Sequence, residues 1–251
     1  MERITSRQNA TVKRLRALAK DKDLRLTCGE FVCDGEKLFE EALREGVEIT
    51  AVLASESFAG KISGVPENIC FVAPDDVLDS VTTLKSAQNV IFSCRMKKVP
   101  DGDISRAVLL DRLQDTGNIG TIIRTADAFG IDAVFCDGTA DVYNPKTIRS
   151  AMGSIFRVPV IRENFETFIP RLRADGRTVF CSELYGDVKP ISERDLRNSF
   201  IVIGNEGSGV RPEISALCDG SVIIPMPGGA ESLNAAVAAA IFMYEMSGKN
   251  D

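Results

Sequence analysis

The sequence predicts an α/β protein in two parts, a smaller module followed by a domain built on a largely parallel sheet. Three observations predict it. Strand-like apolar runs alternate with helical patterns along the whole chain. In the second part the strands are continuous apolar runs, as in sheets covered on both faces. Between the parts lies the polar, Pro- and Gly-containing stretch Lys97-Lys98-Val99-Pro100-Asp101-Gly102-Asp103. The resulting division is 1–98 and 104–251.

In the first part, segment 9–20 carries Val12, Leu15, Leu18 and Ala19 at helical spacing. A strand at 29–34, a helix at 35–45, strands at 49–54 and 68–72, a helical stretch across 75–83 and a strand at 90–95 follow. In the second part, strands are expected at 107–111, 133–136, 158–161, 178–182, 200–203 and 221–224. Helices are expected at 120–129, 147–152 and 165–174, and a long one at 233–246 closes the chain.

Composition narrows the chemistry. The 251 residues, 44% hydrophobic and 26% charged, describe a soluble globular protein with room for a sizeable core. No targeting segment is visible at 1–10, and no apolar run is long enough to span a membrane. The seven cysteines, at 28, 33, 70, 94, 136, 181 and 218, form no CxxC pair and no disulfide pattern, which suits a reducing cytoplasm. The absence of histidine excludes a Ser-His-Asp triad or a histidine base and makes a metal site a poor expectation. Any chemistry falls to carboxylates, Arg, Lys, Ser, Asn or backbone groups, and an already activated donor fits that restriction.

The net charge of −6 argues against a blanket nucleic-acid coat but allows a local basic surface. Residues 1–20 hold Arg3, Arg7, Lys13, Arg14, Arg16 and Lys20 against the single acid Glu2. Two readings stand side by side: a solvated helix face, or an arm that contacts phosphates.

Three segments each follow the C-terminal end of an expected strand, the edge at which open α/β sheets bind ligands. The first is 115–124, where Asn118 is a plausible helix N-cap and Gly120 and Arg124 share a helix face. Taken alone, the segment reads slightly better as a helix cap with a solvated arginine. The second, Ile203-Gly204-Asn205-Glu206-Gly207-Ser208-Gly209, is neither GxGxxG nor a phosphate loop, yet it sets a carboxylate inside a glycine-rich turn. The third runs from Ile224-Pro225-Met226 to Ser232-Leu233-Asn234 and an Ala-rich helix. Ser232 is a candidate cap there, and Asn234 is a modest helix former in the first turn.

Taken in order, Asn118-x-Gly120-x-x-x-Arg124, Ile203-Gly204-Asn205-Glu206-Gly207-x-Gly209 and Ile224-Pro225-Met226 with Ser232-Leu233-Asn234 resemble the three motifs of the SpoU (TrmH-type) RNA methyltransferases. The stretch from Asn144-Pro145-Lys146 through Arg149 to Val158-Pro159 is similar to a further segment typical of that family. The resemblance covers essentially the whole chain. It implies an N-terminal RNA-substrate domain, a catalytic domain with a C-terminal trefoil knot, a homodimer with the active site near the subunit interface, and S-adenosylmethionine as methyl donor. It also implies methyl transfer to a ribose 2′-hydroxyl, with ribosomal RNA preferred over tRNA as substrate.

The same resemblance places the cofactor against Gly204, Ile224 and Leu233, with Met226 nearby. It puts Asn118, Arg124, Glu206, Ser232 and Asn234 around the reacting centre. In the family the equivalent arginine has been suggested as the base, which a guanidinium pKa above about 12 makes demanding. The alternative expectation is that Arg124 binds the neighbouring phosphate and steadies the developing alkoxide, while that phosphate or Glu206 takes the proton. Arg7, Lys13, Arg14, Lys146 and Arg149 are the candidate RNA contacts; Lys146 and Arg149, with Arg157, are the weaker ones, and a reading of those three as surface charges stands beside it. Ala235 and Ala236 stand where many relatives carry larger or hydroxylic residues. Two other readings are an RNA-binding assembly factor without catalysis and a nucleotide-dependent oxidoreductase. The retained polar set speaks against the first and the missing GxGxxG against the second.

Overall fold

A computed structural model describes residues 1–97 and 102–248, so Lys98–Asp101 of the expected linker lie outside the described residues. The chain forms two compact units. One contains residues 1–97 together with Tyr143–Phe156, and the other contains the remaining described residues.

The N-terminal unit begins with strand β1 (Glu2–Arg3) and helices α1 (Ala10–Lys20) and α2 (Lys22–Cys28). Next come β2 (Glu30–Asp34), α3 (Glu36–Arg44), β3 (Ile49–Ala54) and the short α4 (Glu56–Ala59). Strand β4 (Cys70–Val72), α5 (Asp75–Asp79) and β5 (Val90–Arg95) complete it. Its sheet has the order β1-β4-β3-β5-β2, with β5 antiparallel to both neighbours. The expected stripe on α1 is buried: Val12, Leu15 and Leu18 pack with Val32, Leu53, Val77 and Ile91. Asn9, outside the helix, caps α1 by accepting from the Thr11 N–H. Helix α2 had no sequence expectation, because seven residues give too few turns for a readable period.

The second unit starts with β6 (Ala107–Asp111), α6 (Thr116–Ala128) and β7 (Ala133–Asp137). Helix α7 (Pro145–Ala151) belongs to the first unit, and α8 (Ser154–Arg157) leads back. The chain continues through β8 (Val160–Arg162), α9 (Phe165–Ala174), β9 (Thr178–Ser182), β10 (Val188–Pro190), β11 (Ser199–Ile203), α10 (Pro212–Ser215), β12 (Gly220–Ile223) and α11 (Ala235–Ser247). All seven strands run parallel, in the order β10-β12-β9-β11-β6-β7-β8. That is the sheet the continuous apolar runs predicted.

On one face Leu109, Phe135, Phe200 and Val202 pack with Phe165 and Ile169 of α9. The alternate residues Val108, Leu110, Ile201 and Ile203 are equally buried and turn to the other face. Helices α6 and α11 pack on each other. Because every strand is parallel, the loops after β6, β9, β11 and β12 leave from the same edge of the sheet. That edge carries the site.

Candidate active site at the strand ends

A cleft of about 370 Å³ opens at this edge, within the size range of small-molecule sites. The loop after β11 contributes Gly204, Asn205 and Glu206, and the loop after β12 contributes Ile224, Met226, Ser232, Leu233 and Asn234. These are the residues the second and third motifs singled out. Ala238 and Phe242 of α11 and Val222 of β12 add apolar wall, and Ser182, Glu183 and Leu184 line the cleft from the end of β9. The β9 residues were not anticipated. Their signal was positional: β9 lies between β11 and β12, so its end abuts both loops, but strand order is not readable along a sequence.

Glu206 organises one end. Its carboxylate accepts from the backbone N–H groups of Asp115 (3.0 Å) and Gln114 (3.2 Å) and from the side-chain amides of Asn118 (3.2 Å) and Asn205 (3.4 Å). Partial burial pushes its pKa up. The N–H groups of Glu206, Asp115 and Gln114 and the Asn118 amide push it down further, leaving it below the ordinary carboxylate range. A carboxylate so engaged suits a fixed anion that orients its neighbours better than a proton acceptor.

The chain of contacts continues. The Asn234 amide donates to Asn118 Oδ1 at 3.1 Å, and Asn234 Oδ1 accepts from the N–H groups of Ala236 and Val237 at 2.9 and 3.3 Å. Glu206, Asn118 and Asn234 are therefore one relay that ends on the first turn of α11.

Two cap expectations are corrected here. Asp115, not Asn118, caps α6, accepting from Gly117 and Asn118 N–H, which frees the Asn118 amide for the relay. Asn234, not Ser232, caps α11, and it lies just outside the helix rather than in its first turn. Asparagine is a poor interior helix residue but a good cap, which explains its place.

The glycine-rich turn is shaped by its own backbone. Asn205 and Gly209 exchange both backbone hydrogen bonds, at 2.9 and 3.0 Å. A Cβ on Gly204 would fall 2.1 Å from the Gly209 carbonyl carbon, so no side chain is possible there. Asn205 Oδ1 accepts from the N–H groups of Gly207 and Ser208, and its amide donates to the Arg112 carbonyl at 2.8 Å. Beyond the turn, Arg211 ties the loop to the sheet. Its guanidinium pairs with the fully buried Asp111 at 2.7 Å and with Asp137 at 2.6 Å.

The remaining expected residues are placed differently. Ser232 is exposed at the cleft. Arg124 is exposed on α6, its side chain makes no hydrogen bond or ion pair with the described residues, and it is not among the cleft residues. It lies six residues, or about 9 Å, along the helix from Asn118.

In the N-terminal unit, Arg7 pairs with Asp76 at 3.0 Å and Arg14 with Glu30, a carboxylate only 2% exposed that also holds Arg95 at 2.9 Å. Arg149 is half-buried, and its charge acts on Asp34. Lys13 and Lys146 are exposed and make no such side-chain pairing among the described residues. Arg157 pairs with Asp127 at 2.9 Å in the second unit. All seven cysteines are free. Among the described residues no cluster suited to a metal and no helix long and apolar enough to cross a membrane is found.

A parallel α/β sheet with a small-molecule cleft and an amide-carboxylate relay at the strand ends defines a ligand-binding enzyme of the open-sheet class. Comparison with known proteins narrows the class. The SpoU rRNA methylase family model matches residues 105–244, and the MRM3-like substrate binding domain model matches residues 9–91. The chain is 36% identical to the 23S rRNA (guanosine(2553)-2′-O)-methyltransferase RlmP of Bacillus subtilis, over 99% of this chain and 100% of that one. It is 31% identical to the 23S rRNA (uridine(2479)-2′-O)-methyltransferase of Streptomyces viridochromogenes, over 97% and 91%. Among solved structures, an AdoMet-bound rRNA methyltransferase from Sinorhizobium meliloti superposes with a TM-score of 0.87 at 30% identity, covering 98% of this chain and 97% of that one. The AviRb methyltransferase of S. viridochromogenes in complex with AdoMet gives 0.80 at 30%, covering 95% and 98%. The chain belongs to the SpoU rRNA methylase family and is a methyltransferase.

Proposed function

We propose that the protein transfers a methyl group from S-adenosylmethionine to a ribose 2′-hydroxyl of large-subunit ribosomal RNA. The observation that carries this reading is the meeting of the Glu206-Asn118-Asn234 relay with an apolar, backbone-lined cleft at one sheet edge. The near full-length similarity to two 23S rRNA ribose methyltransferases favours rRNA over tRNA.

The cleft fits the cofactor. Ile203, Val222, Ile224, Leu233 and Phe242 supply apolar wall for an adenine, and Gly204, Ile224 and Leu233 bring backbone groups to its edge. The cofactor supplies a methyl group already activated on a sulfonium, so positioning accounts for much of the rate. In the transfer a bond forms between the ribose oxygen and the methyl carbon. The carbon–sulfur bond breaks with its electron pair going to sulfur, and the hydroxyl proton leaves. Asn118 and Asn234 hold the hydroxyl's surroundings in place, and Ser232 lies beside them. Arg124 neutralises the phosphate next to the target ribose and steadies charge on its oxygen. The hydroxyl proton goes to that phosphate or to Glu206, whose donors hold its carboxylate below its ordinary pKa.

The homodimer expectation is part of this proposal. Asn118 and Asn234 also line a groove between α6 and α11 with Phe129, Val237, Ile241 and Tyr244, and Val237 and Tyr244 are each 49% exposed. Covering this apolar face with a second copy suits the molecule, and it gives Arg124, which stands outside the cleft, a route to a reacting centre. A trefoil knot is likewise proposed. It is supported by the way the segments after β11 and β12 share one cleft before α11 returns against α6. The N-terminal unit is proposed to dock RNA through Lys13 and Lys146, with Arg7, Arg14 and Arg149 beside them.

The test is methyl transfer from labelled S-adenosylmethionine to unmodified large-subunit rRNA and, separately, to unmodified tRNA. The proposal expects alkali-resistant label between adjacent nucleotides in rRNA. Label confined to tRNA, or no binding of the cofactor, overturns it.

A further inference from the structure

Most polar side chains that line the cleft are already engaged. Glu206 receives four donors, Asn205 caps its own turn, and Asn234 caps α11 while donating to Asn118. Glu183 differs. It lies one residue past the end of β9, and its N–H donates to the Val222 carbonyl at 3.1 Å, which fixes its backbone against β12. One carboxylate oxygen, Oε2, accepts from the Ser221 hydroxyl at 2.5 Å. The other, Oε1, has no hydrogen-bond partner among the described residues, although the side chain is half-buried and lines the cleft.

The position of this acceptor has a chemical meaning. Strand β9 is hydrogen-bonded to β11, with Val202 opposite Cys181, so continuing the register sets Glu183 level with Gly204. Open α/β sheets bind ligands at the carboxyl ends of their strands, and in the dinucleotide-binding members an acid beyond the glycine turn receives the ribose hydroxyls; Glu183 offers an acceptor of the same kind at this edge. A ribose presents two adjacent O–H donors, and a carboxylate held by one neighbour and open on the other side accepts them. Building on the cofactor reading above, we propose that Glu183 binds the ribose diol of the cofactor and sets preference for a ribonucleoside ligand. It acts in binding, with no part in the transfer step.

The full-length protein is titrated calorimetrically with S-adenosylhomocysteine, with methylthioadenosine, which lacks the amino-acid tail, and with 2′-deoxy-methylthioadenosine. Wild type is compared with Glu183→Ala and with Glu183→Gln, which keeps the size and the Ser221 contact. Wild type is expected to favour the ribo over the deoxy ligand by about tenfold or more, because the deoxy ligand leaves a desolvated acceptor unpaired. Glu183→Ala is expected to weaken both ribo ligands by a similar factor, about tenfold, and to reduce the ribo preference to about twofold or less. Glu183→Gln is expected to fall between the two.

Undiminished ribo preference in Glu183→Ala overturns the inference. So does a loss confined to S-adenosylhomocysteine, which would place the ammonium of the tail at Glu183. Failure of wild type to bind any of the three ligands overturns the cofactor reading itself, and this inference with it.

Discussion

The N-terminal arginines and Arg124 of the second unit meet opposite fates. In the N-terminal unit, where the sequence concentrates positive charge, Arg3, Arg7 and Arg14 are each paired with an acid, and Arg16 donates to the Ser80 carbonyl and hydroxyl. In the second unit Arg124 stands exposed on α6 without a partner, while its neighbours in the motif are held in a relay. Positive charge counted along a sequence therefore overstates what the N-terminal unit presents to an anion. The lysines without such partners there, Lys13, Lys20, Lys22, Lys37, Lys85 and Lys146, are better placed for phosphates than the paired arginines.

The comparison can be sharpened from either side, and the relay gives the larger effect. Glu206→Gln turns a four-donor acceptor into a group whose own NH2 faces those donors. Single-turnover methyl transfer is expected to fall by about 10²-fold, with Gln no better than Ala, since misplacement of this order is costly. The pH dependence has a definite sign. Its folded pKa lies below the ordinary value, so its contribution to stability is fully present above about 4.3 and is lost as pH falls through the lowered value. Between pH 5 and 7 Glu206 adds no acid limb to the rate; such a limb, absent in Glu206→Gln, would return Glu206 to the role of base.

Asn234 separates its two jobs. Asn234→Ala removes both the α11 cap and the contact with Asn118, costing about 1 kcal/mol of stability in thermal unfolding. Asn234→Ser keeps a capping oxygen and is expected to restore the melting temperature. Both variants slow methyl transfer by about tenfold, because neither donates to Asn118. Restored activity in the serine variant would reduce the relay to a helix cap.

On the other side of the comparison, Arg14→Ala leaves buried Glu30 with Arg95 and Thr50. Chemical denaturation is expected to show a loss of about 1–3 kcal/mol, with the transfer rate per folded molecule within about twofold of wild type. The smallest effect is that of Lys13→Ala, which is expected to weaken RNA binding a few-fold and flatten its salt dependence by about one unit of slope.

Strong periodicity made much of this legible. Strands β3, β5, β6 and β9 and helix α9 fall on the ranges their patterns predicted, because continuous apolar runs and a clean helical stripe leave few alternatives. The second and third motifs led to the cleft for a related reason: a loop after a parallel strand must reach the sheet edge. Four things were not readable. Asp115 outcompetes Asn118 as a cap because its carboxylate meets two N–H groups, and a sequence offering both residues does not say which wins. Glu183 entered through strand order. The pairing of Arg7 and Arg14 depends on acids 69 and 16 residues away. Helix α7 carries the Lys146–Arg149 stretch into the N-terminal unit, a placement no local pattern records.

The most direct measurement is single-turnover methyl transfer by Arg124→Ala at saturating RNA and cofactor, with S-adenosylhomocysteine affinity measured on the same preparation. If the free guanidinium of Arg124 serves the reaction, the rate falls by about 10²–10³-fold while that affinity stays within about twofold. A saturated rate close to wild type would contradict the account, and would make Arg124 one more exposed cation.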